Sequence, residues 1–139
     1  MRSDPERGFV ALELVLASAL LLLPVAALGL ALPTWAERQS AARLIAREVA
    51  RQAAGEGVCD PSAASVRTRE LAAGLGLRPQ DVSVELVCFP GLPLPRVGAL
   101  ELGVTVVMPA ITLPALGSLG SWSWTARHRE PLDPYRSLT

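Results

Sequence analysis

The chain enters its longest apolar run with Arg7-Gly8-Phe9-Val10-Ala11-Leu12-Glu13-Leu14, and the run continues to Ala36. The only acidic residue in it is Glu13. From Leu14 to Ala36, 23 residues carry no charge, and at 1.5 Å per residue a helix of that length crosses a hydrocarbon core of about 30 Å. A carboxylate costs about 2.5–3.5 kcal/mol near the centre of such a segment, so we expect Glu13 to have a partner.

The pattern predicts one long helix over residues 9–54, membrane-spanning to about residue 36 and amphipathic beyond it. The predicted apolar face of the extension is formed by Leu44, Ile45, Val49 and Ala53. Gly55 and Gly57 are expected to stop the helix. Pro24 and Pro33 fall inside the pattern and are expected to kink or loosen it, which membrane helices tolerate better than soluble ones.

Residues 55–139 are predicted to form a small α+β head. The predicted elements are a short helix from Ala64 to Ala73 and three strands, Val82 to Cys88, Ala99 to Met108 and Ser121 to Arg129. The first strand alternates, with Val82, Val84, Leu86 and Cys88 on one face. The expected fold class is therefore α+β: a long N-terminal helix, then a head with a short helix and a three-stranded antiparallel sheet.

Two apolar features of the head leave alternatives open. The segment from Pro109 to Gly120 is rich in helix and strand breakers and is predicted to be a loop. It either packs on the sheet as part of the core or forms an exposed patch for a partner subunit or the membrane surface. Trp122 and Trp124 serve either core packing or ligand binding.

Composition bounds the chemistry of the chain. Thirteen basic residues balance thirteen acidic ones, so no net charge favours nucleic acid as a partner. Cys59 and Cys88 are expected to form a disulfide in an extracytoplasmic head, the alternative being two unpaired thiols in a reducing compartment. With one histidine and no CxxC spacing, neither a metal site nor a cofactor is predicted.

No catalytic constellation is predicted either. Ser121 and His128 are the only pair that suggests a nucleophile and a base, but seven positions apart on one strand they are expected to face opposite sides. We therefore expect neither an enzyme nor a small-molecule substrate.

The Gly8-Phe9 junction with Glu13, placed directly before the apolar run, resembles the start of prepilins of the type IV pilin superfamily. The resemblance implies that residues 1–8 are a leader, that a prepilin peptidase cuts between Gly8 and Phe9, and that the apolar helix is retained. Two other interpretations stay open: a secretory signal cut near Gly29-Leu30-Ala31, and an uncleaved single-pass anchor.

The proposed cut connects Phe9 with Glu13. It would leave a protonated α-amino group on Phe9, four helix positions from the carboxylate and on the same face. In a bundle of parallel helices, Glu13 of one subunit can meet the Phe9 amine of its neighbour, and the pairing would set the axial register of subunits. The alternative is that Glu13 simply reaches into the lipid headgroups.

The order of predicted elements, with one cysteine pair, is similar to the TadE-like branch of pilin proteins in tight-adherence (Tad, or Flp) pilus systems. This resemblance implies a minor pilin or pseudopilin that contributes to assembly of a Tad pilus or secretion pseudopilus. Implied partners are the peptidase, pilus platform proteins, other pilins and minor pilins, and a secretion ATPase acting indirectly. The alternative is a single-pass membrane-anchored extracytoplasmic binding domain outside any filament.

Orientation signals conflict. Arg2 and Arg7 precede the apolar run, whereas Arg38, Arg43, Arg47 and Arg51 follow it, and the positive-inside rule alone would place the C-terminus in the cytoplasm. The cysteine pair and the leader favour the opposite arrangement. We expect a single-pass protein of the bacterial cytoplasmic membrane with an extracytoplasmic head, which can also belong to a pilus at the cell surface.

Overall fold

The computed structural model describes residues 5–57, 59–89, 98–113 and 117–132. In chain order the helices are α1 (Pro5–Glu56), α2 (Pro61–Gly74) and a single 3-10 turn (Pro79–Asp81), and the strands are β1 (Val82–Phe89), β2 (Ala99–Met108), β3 (Ile111–Leu113), β4 (Gly117–Leu119) and β5 (Trp122–Pro131). An antiparallel sheet has the order β1-β2-β5, and β3 pairs with β4 as a hairpin. The expected α+β fold class is confirmed.

Helix α1 is longer than predicted at both ends. It begins at Pro5 and contains 52 residues, so the backbone on both sides of the Gly8-Phe9 bond is helical. Proline suits the start of a helix because its φ is already helical and its missing N–H needs no partner there. Gly55 does not stop the helix, but Gly57 does, with a φ of 66°. Residues 1–4 of the predicted leader lie outside the described residues.

The N-terminal half of α1 could span a membrane by length and composition. Within the described residues it is the one helix with this property, with a mean hydropathy of 2.5 over its most apolar window, none of which is buried. Pro24 and Pro33 lie inside α1, which continues through both as one helix. Leu14, Leu20 and Leu30 are 69, 74 and 81 % exposed, which is the surface that lipid or neighbouring helices would cover.

The C-terminal half of α1 forms the core of the head. Its buried residues are Ala42, Ile45, Ala46, Val49, Ala50 and Ala53. Four of the six are alanines, so the helix axis can approach the sheet closely. The prediction for Leu44 was wrong: its side chain is 55 % exposed. Leu44 lies outside the stripe of buried residues, which includes its neighbour Ile45.

The sheet presents an apolar inner face to α1. The β2 residues Leu100, Leu102, Val104, Val106 and Met108 are completely buried. On β1, Val82, Val84, Leu86 and Cys88 point to the core and the residues between them are exposed, which confirms the predicted alternation. Val104 pairs with Val84 on one side and with Ala126 on the other, so β2 is the central strand.

The segment from Pro109 to Gly120 was predicted to be a loop, but it contains the β3–β4 hairpin. Ile111 pairs with Leu119 and Leu113 with Gly117, and Gly117 has a φ of 81° that favours glycine. Each strand has only three residues, too few for an alternation of polar and apolar residues to be recognised in the sequence. The prolines after Cys88 also predict a loop from Phe89 to Pro95. Phe89 is instead the last residue of β1, and residues 90–95 lie outside the described residues.

A polar contact helps to fix the axial position of the head on α1. Arg38 Nη1 donates to the Val107 carbonyl at 2.6 Å and lies 3.4 Å from Asp81 Oδ2. Arg78 contacts the same carboxylate oxygen at 2.9 Å. The Arg38 and Asp81 side chains are 19 and 11 % exposed, so this pair is shielded enough to matter more than a surface ion pair.

Helix α2 begins three residues earlier than predicted, at Pro61, because Asp60 is its N-cap. The Asp60 carboxylate accepts from the Ser62 hydroxyl at 2.6 Å and from the backbone N–H groups of Ser62 and Ala63. These donors hold the pKa of Asp60 below its ordinary value, with the Ser62 hydroxyl the largest contributor. Asp followed by Pro at the first helical position is the sequence signal for this start.

The structure pairs Cys59 with Cys88 as a disulfide, with the two Cα atoms 6.5 Å apart. Cys59 precedes the α2 cap and Cys88 lies near the end of β1. The bond therefore ties the connection between the two helices to the edge strand of the sheet.

Adjacent residues of α1 offer a test of the packing. We expect Ile45→Ala to lower the free energy of unfolding of the head by about 2–5 kcal/mol, because Ile45 is fully buried and a cavity would remain. Leu44→Ala is the matched control and should cost less than about 1 kcal/mol, since Leu44 is more than half exposed. Denaturant unfolding in detergent, followed by circular dichroism, measures both. Similar losses for the two variants would contradict the described helix face.

The disulfide predicts a sensitivity to reductant. Closing a loop with a sequence separation of 29 stabilises a fold by roughly 3 kcal/mol on the chain-entropy model. Reduction should therefore lower the Tm of the full-length protein in detergent by on the order of ten degrees. A variant with Cys59→Ser and Cys88→Ser should start at the lower Tm and not respond to reductant. An unchanged wild-type Tm on reduction would contradict the bond.

Candidate functional site

Glu13 lies on the exposed N-terminal part of α1 and shares a face with Phe9. The two are four positions apart, and together they line a shallow groove of about 520 Å³. The rest of the lining is apolar: Leu12, Leu16, Ala17 and Leu20. Phe9 is 70 % exposed. The structure thus gives this face one carboxylate in apolar surroundings with an aromatic ring one turn before it.

Within the described part of the chain, neither a hydrogen bond nor an ion pair reaches Glu13. The head does not approach this region, since the most apolar window of α1 has none of its residues buried. Because residues precede Phe9 in this chain, its nitrogen is a peptide nitrogen and carries no charge. A cationic partner on Phe9 would exist only after cleavage of the Gly8-Phe9 bond.

The face that carries Phe9 and Glu13 continues along α1 toward the head. A second apolar cleft, of about 540 Å³, is lined by the α1 residues Leu23, Ala26, Ala27, Leu30, Ala31 and Thr34. Each is fourteen positions beyond a residue of the first groove. Fourteen residues are close to four helical turns. The two grooves therefore lie on the same side of α1.

The connection from β2 into the β3–β4 hairpin forms the other wall of the second cleft. Pro109, Ala110 and Ile111 face the α1 residues there. The head and its hairpin thus lie on the side of α1 that also bears Glu13. Any neighbouring helix that packs along this side meets the carboxylate at one end and the hairpin at the other.

The tryptophans of β5 contact α1. The Trp122 ring meets Trp35 edge to face with centroids 5.6 Å apart, and Trp35 Nε1 donates to the Pro109 carbonyl at 3.2 Å. Trp124 is partly buried and lies under the Arg43 guanidinium at 5.1 Å. Packing against α1 therefore accounts for Trp124, while Trp122 remains 41 % exposed. Trp35 was not singled out from the sequence, although it lies at the end of the uncharged run.

The structure does not bring Ser121 and His128 together as a reactive pair. His128 Nε2 lies 2.9 Å from Glu130 Oε2, and Ser121 precedes β5 in an exposed position. Among the described residues, no group of three or more His, Cys, Asp or Glu side chains could hold a metal ion. In the part of the chain that the structure describes, the candidate functional features are Glu13, the cysteine pair and the exposed apolar surface.

Of the residues singled out in the sequence, Phe9 and Glu13 share one face of α1, and Cys59 and Cys88 are bonded. Gly8 is placed within the helical backbone directly before Phe9. Neither protein-family models, nor curated proteins, nor solved structures give a match to this chain.

Proposed function

We propose that this protein is a TadE-like minor pilin or pseudopilin that contributes to assembly of a Tad-type pilus or a related secretion pseudopilus. A prepilin peptidase removes residues 1–8 by cutting between Gly8 and Phe9. The retained helix stays in the cytoplasmic membrane, with the head on its outer side, until it packs with other pilins. The observation that carries the proposal is the shared exposed face of Phe9 and Glu13 on a helix whose other end is built into the head.

The local energetics favour an intermolecular partner for Glu13. Once the cut exposes the Phe9 amine, opposite charges about 4 Å apart attract by about 4 kcal/mol at the effective dielectric constant near a protein surface. The carboxylate costs about 2.5–3.5 kcal/mol if it is left alone deep in lipid. Pairing with the amine of a neighbouring subunit offsets that cost only when the two helices lie at the correct axial offset. The pair would therefore select the register of assembly.

The helical backbone at the cleavage site bears on how the leader is removed. Gly8 lies within α1, and glycine weakens a helix interior by about 1 kcal/mol relative to alanine. A peptidase that needs an extended substrate can therefore unwind α1 most easily there. The absence of a Cβ also lets the enzyme approach the backbone.

The mature N-terminus tests the proposed cleavage. Mass spectrometry of the protein from native membranes should show a chain that begins at Phe9, with or without a methyl group on its nitrogen. Gly8→Val should retain Met1, because the bulky side chain blocks approach to the bond and makes the helix harder to unwind there than glycine does. Wild-type protein that keeps its first eight residues would contradict the proposal and support the membrane-anchored binding domain.

Replacement of Glu13 tests the charge pair. Glu13→Gln preserves the shape of the side chain, so leader removal should continue while co-purification with other pilins falls by about tenfold or more, the equivalent of at least 1.4 kcal/mol. Glu37→Gln is the matched control, since Glu37 is also an exposed acid of α1 but follows the apolar run. The control should assemble normally. Normal assembly of Glu13→Gln would exclude the charge-pair mechanism.

A further inference from the structure

The β3–β4 hairpin lies beside a part of α1 that carries no charge. Its approach is through Pro109, Ala110 and Ile111, which face α1 between Leu23 and Thr34. That range falls inside the uncharged run, and the first polar residues of α1 after it are Glu37 and Arg38. The hairpin therefore extends past the polar part of α1 and along its apolar part.

The apolar part of α1 is longer than a membrane requires. From Phe9 to Ala36 the helix measures about 42 Å, roughly 12 Å more than the hydrocarbon core. Glu13 is least costly close to the opposite membrane surface. From Glu13 to Ala36 the helix measures about 36 Å, so about 6 Å of apolar helix remains at the head end. There Leu30 and Leu32 are 81 and 57 % exposed. These last apolar turns and the hairpin beside them lie at the same level along the axis of α1.

The hairpin itself is suited to lipid. The chain carries no charged residue between Glu101 and Arg127, a range that contains β3 and β4 entirely. Ala110 is exposed, as are Gly117 and Ser118 of β4. Hydrogen bonding between β3 and β4 satisfies the backbone groups that face each other across the hairpin, which lowers the cost of placing it in the interfacial layer.

An aromatic pair marks the level at which this apolar surface ends. Trp35 and Trp122 meet edge to face at 5.6 Å, directly before the first charges of α1. Tryptophan is enriched at membrane–water interfaces, where its ring is embedded and its N–H is hydrogen-bonded. Trp124, by contrast, lies against Arg43, about 12 Å further along α1 than Trp35.

We propose that the β3–β4 hairpin and the Trp35–Trp122 pair form a second membrane contact, embedded in the interfacial layer of the bilayer that α1 enters. Lipid acyl chains occupy the cleft of about 540 Å³ between the hairpin and α1. Two contact points fix the rotation and tilt of the head on the membrane surface, which a single helix does not. This inference requires neither leader cleavage nor a filament, so it holds equally for an anchored binding domain.

Native tryptophans are the probes for the test. Full-length protein is placed in phosphatidylcholine vesicles whose lipids carry bromine, a fluorescence quencher, near the top of the acyl chains. One variant keeps only Trp122 (Trp35→Phe, Trp124→Phe), and its matched control keeps only Trp124 (Trp35→Phe, Trp122→Phe). We expect at least about twofold stronger quenching of Trp122 than of Trp124, because only Trp122 lies at the interface.

A charge placed on the hairpin provides an independent measurement. In the variant with Trp122 alone, Ala110→Glu should reduce the quenching by about half, because a buried carboxylate lifts the hairpin from the lipid. Ala73→Glu adds the same side chain to an exposed position of α2 and should leave the quenching unchanged. In both variants α1 keeps the protein in the vesicle, so loss of binding does not complicate the comparison.

Three results would overturn the inference. Equal quenching of Trp122 and Trp124 would mean that Trp122 lies no closer to the lipid than Trp124, so the Trp35–Trp122 pair would not mark the interface. Blue-shifted but unquenched Trp122 emission would mean that a second copy of this chain, and not lipid, covers the hairpin. Quenching of Trp122 that is insensitive to Ala110→Glu would show that the hairpin is not what holds it at the interface.

Discussion

The packing of the C-terminal half of α1 on the inner face of the sheet is the contact on which the rest of the structure depends. Ala42, Ala46 and Ala50 bring the helix close, and Ile45 and Val49 fill the space between it and the completely buried residues of β2. The inner face of this three-stranded sheet is apolar and is buried in one cluster with α1. The helix that is long enough to span a membrane is thus also the main core element of the head, and separating the two would expose the core.

Because one helix serves both the apolar N-terminal segment and the core of the head, some elements can be predicted from the sequence more accurately than others. In β2 the bounds are as predicted. A β-branched run from Val104 to Val107 marks the strand in the sequence, and every second residue from Leu100 to Met108 is completely buried. The first strand was predicted one residue short, and the last was placed one residue early at its start and two short at its end. Leu44 was misassigned because the apolar residues and arginines of this part of α1 can be arranged into two faces of similar apolar character. Only contact with the sheet selects between these faces.

The candidate site depends on the sequence in a different way. Glycine, phenylalanine and glutamate at their particular spacing are visible in the chain, and the structure adds that their face is the one to which the head is attached. The spacing of fourteen residues between the linings of the two grooves was present in the sequence. It could not be recognised as a shared face, because the second cleft exists only where the head packs beside α1. The hairpin could not be predicted, since its pairing depends on residues that carry no periodic signal.

The positions of Cys59 and Arg38 determine how the head responds to force. A force applied along the axis of α1 acts parallel to the interface between α1 and the sheet. It therefore loads the contacts of that interface together, in shear, instead of separating them one at a time. Trp35, in contact with Trp122, and then Arg38, bonded to Val107 and Asp81, are the points at which the load enters the sheet. The Cys59–Cys88 bond closes the opposite end covalently. Tension carried by the helix therefore meets a mechanically clamped head, even though the core that joins them is built largely from alanine.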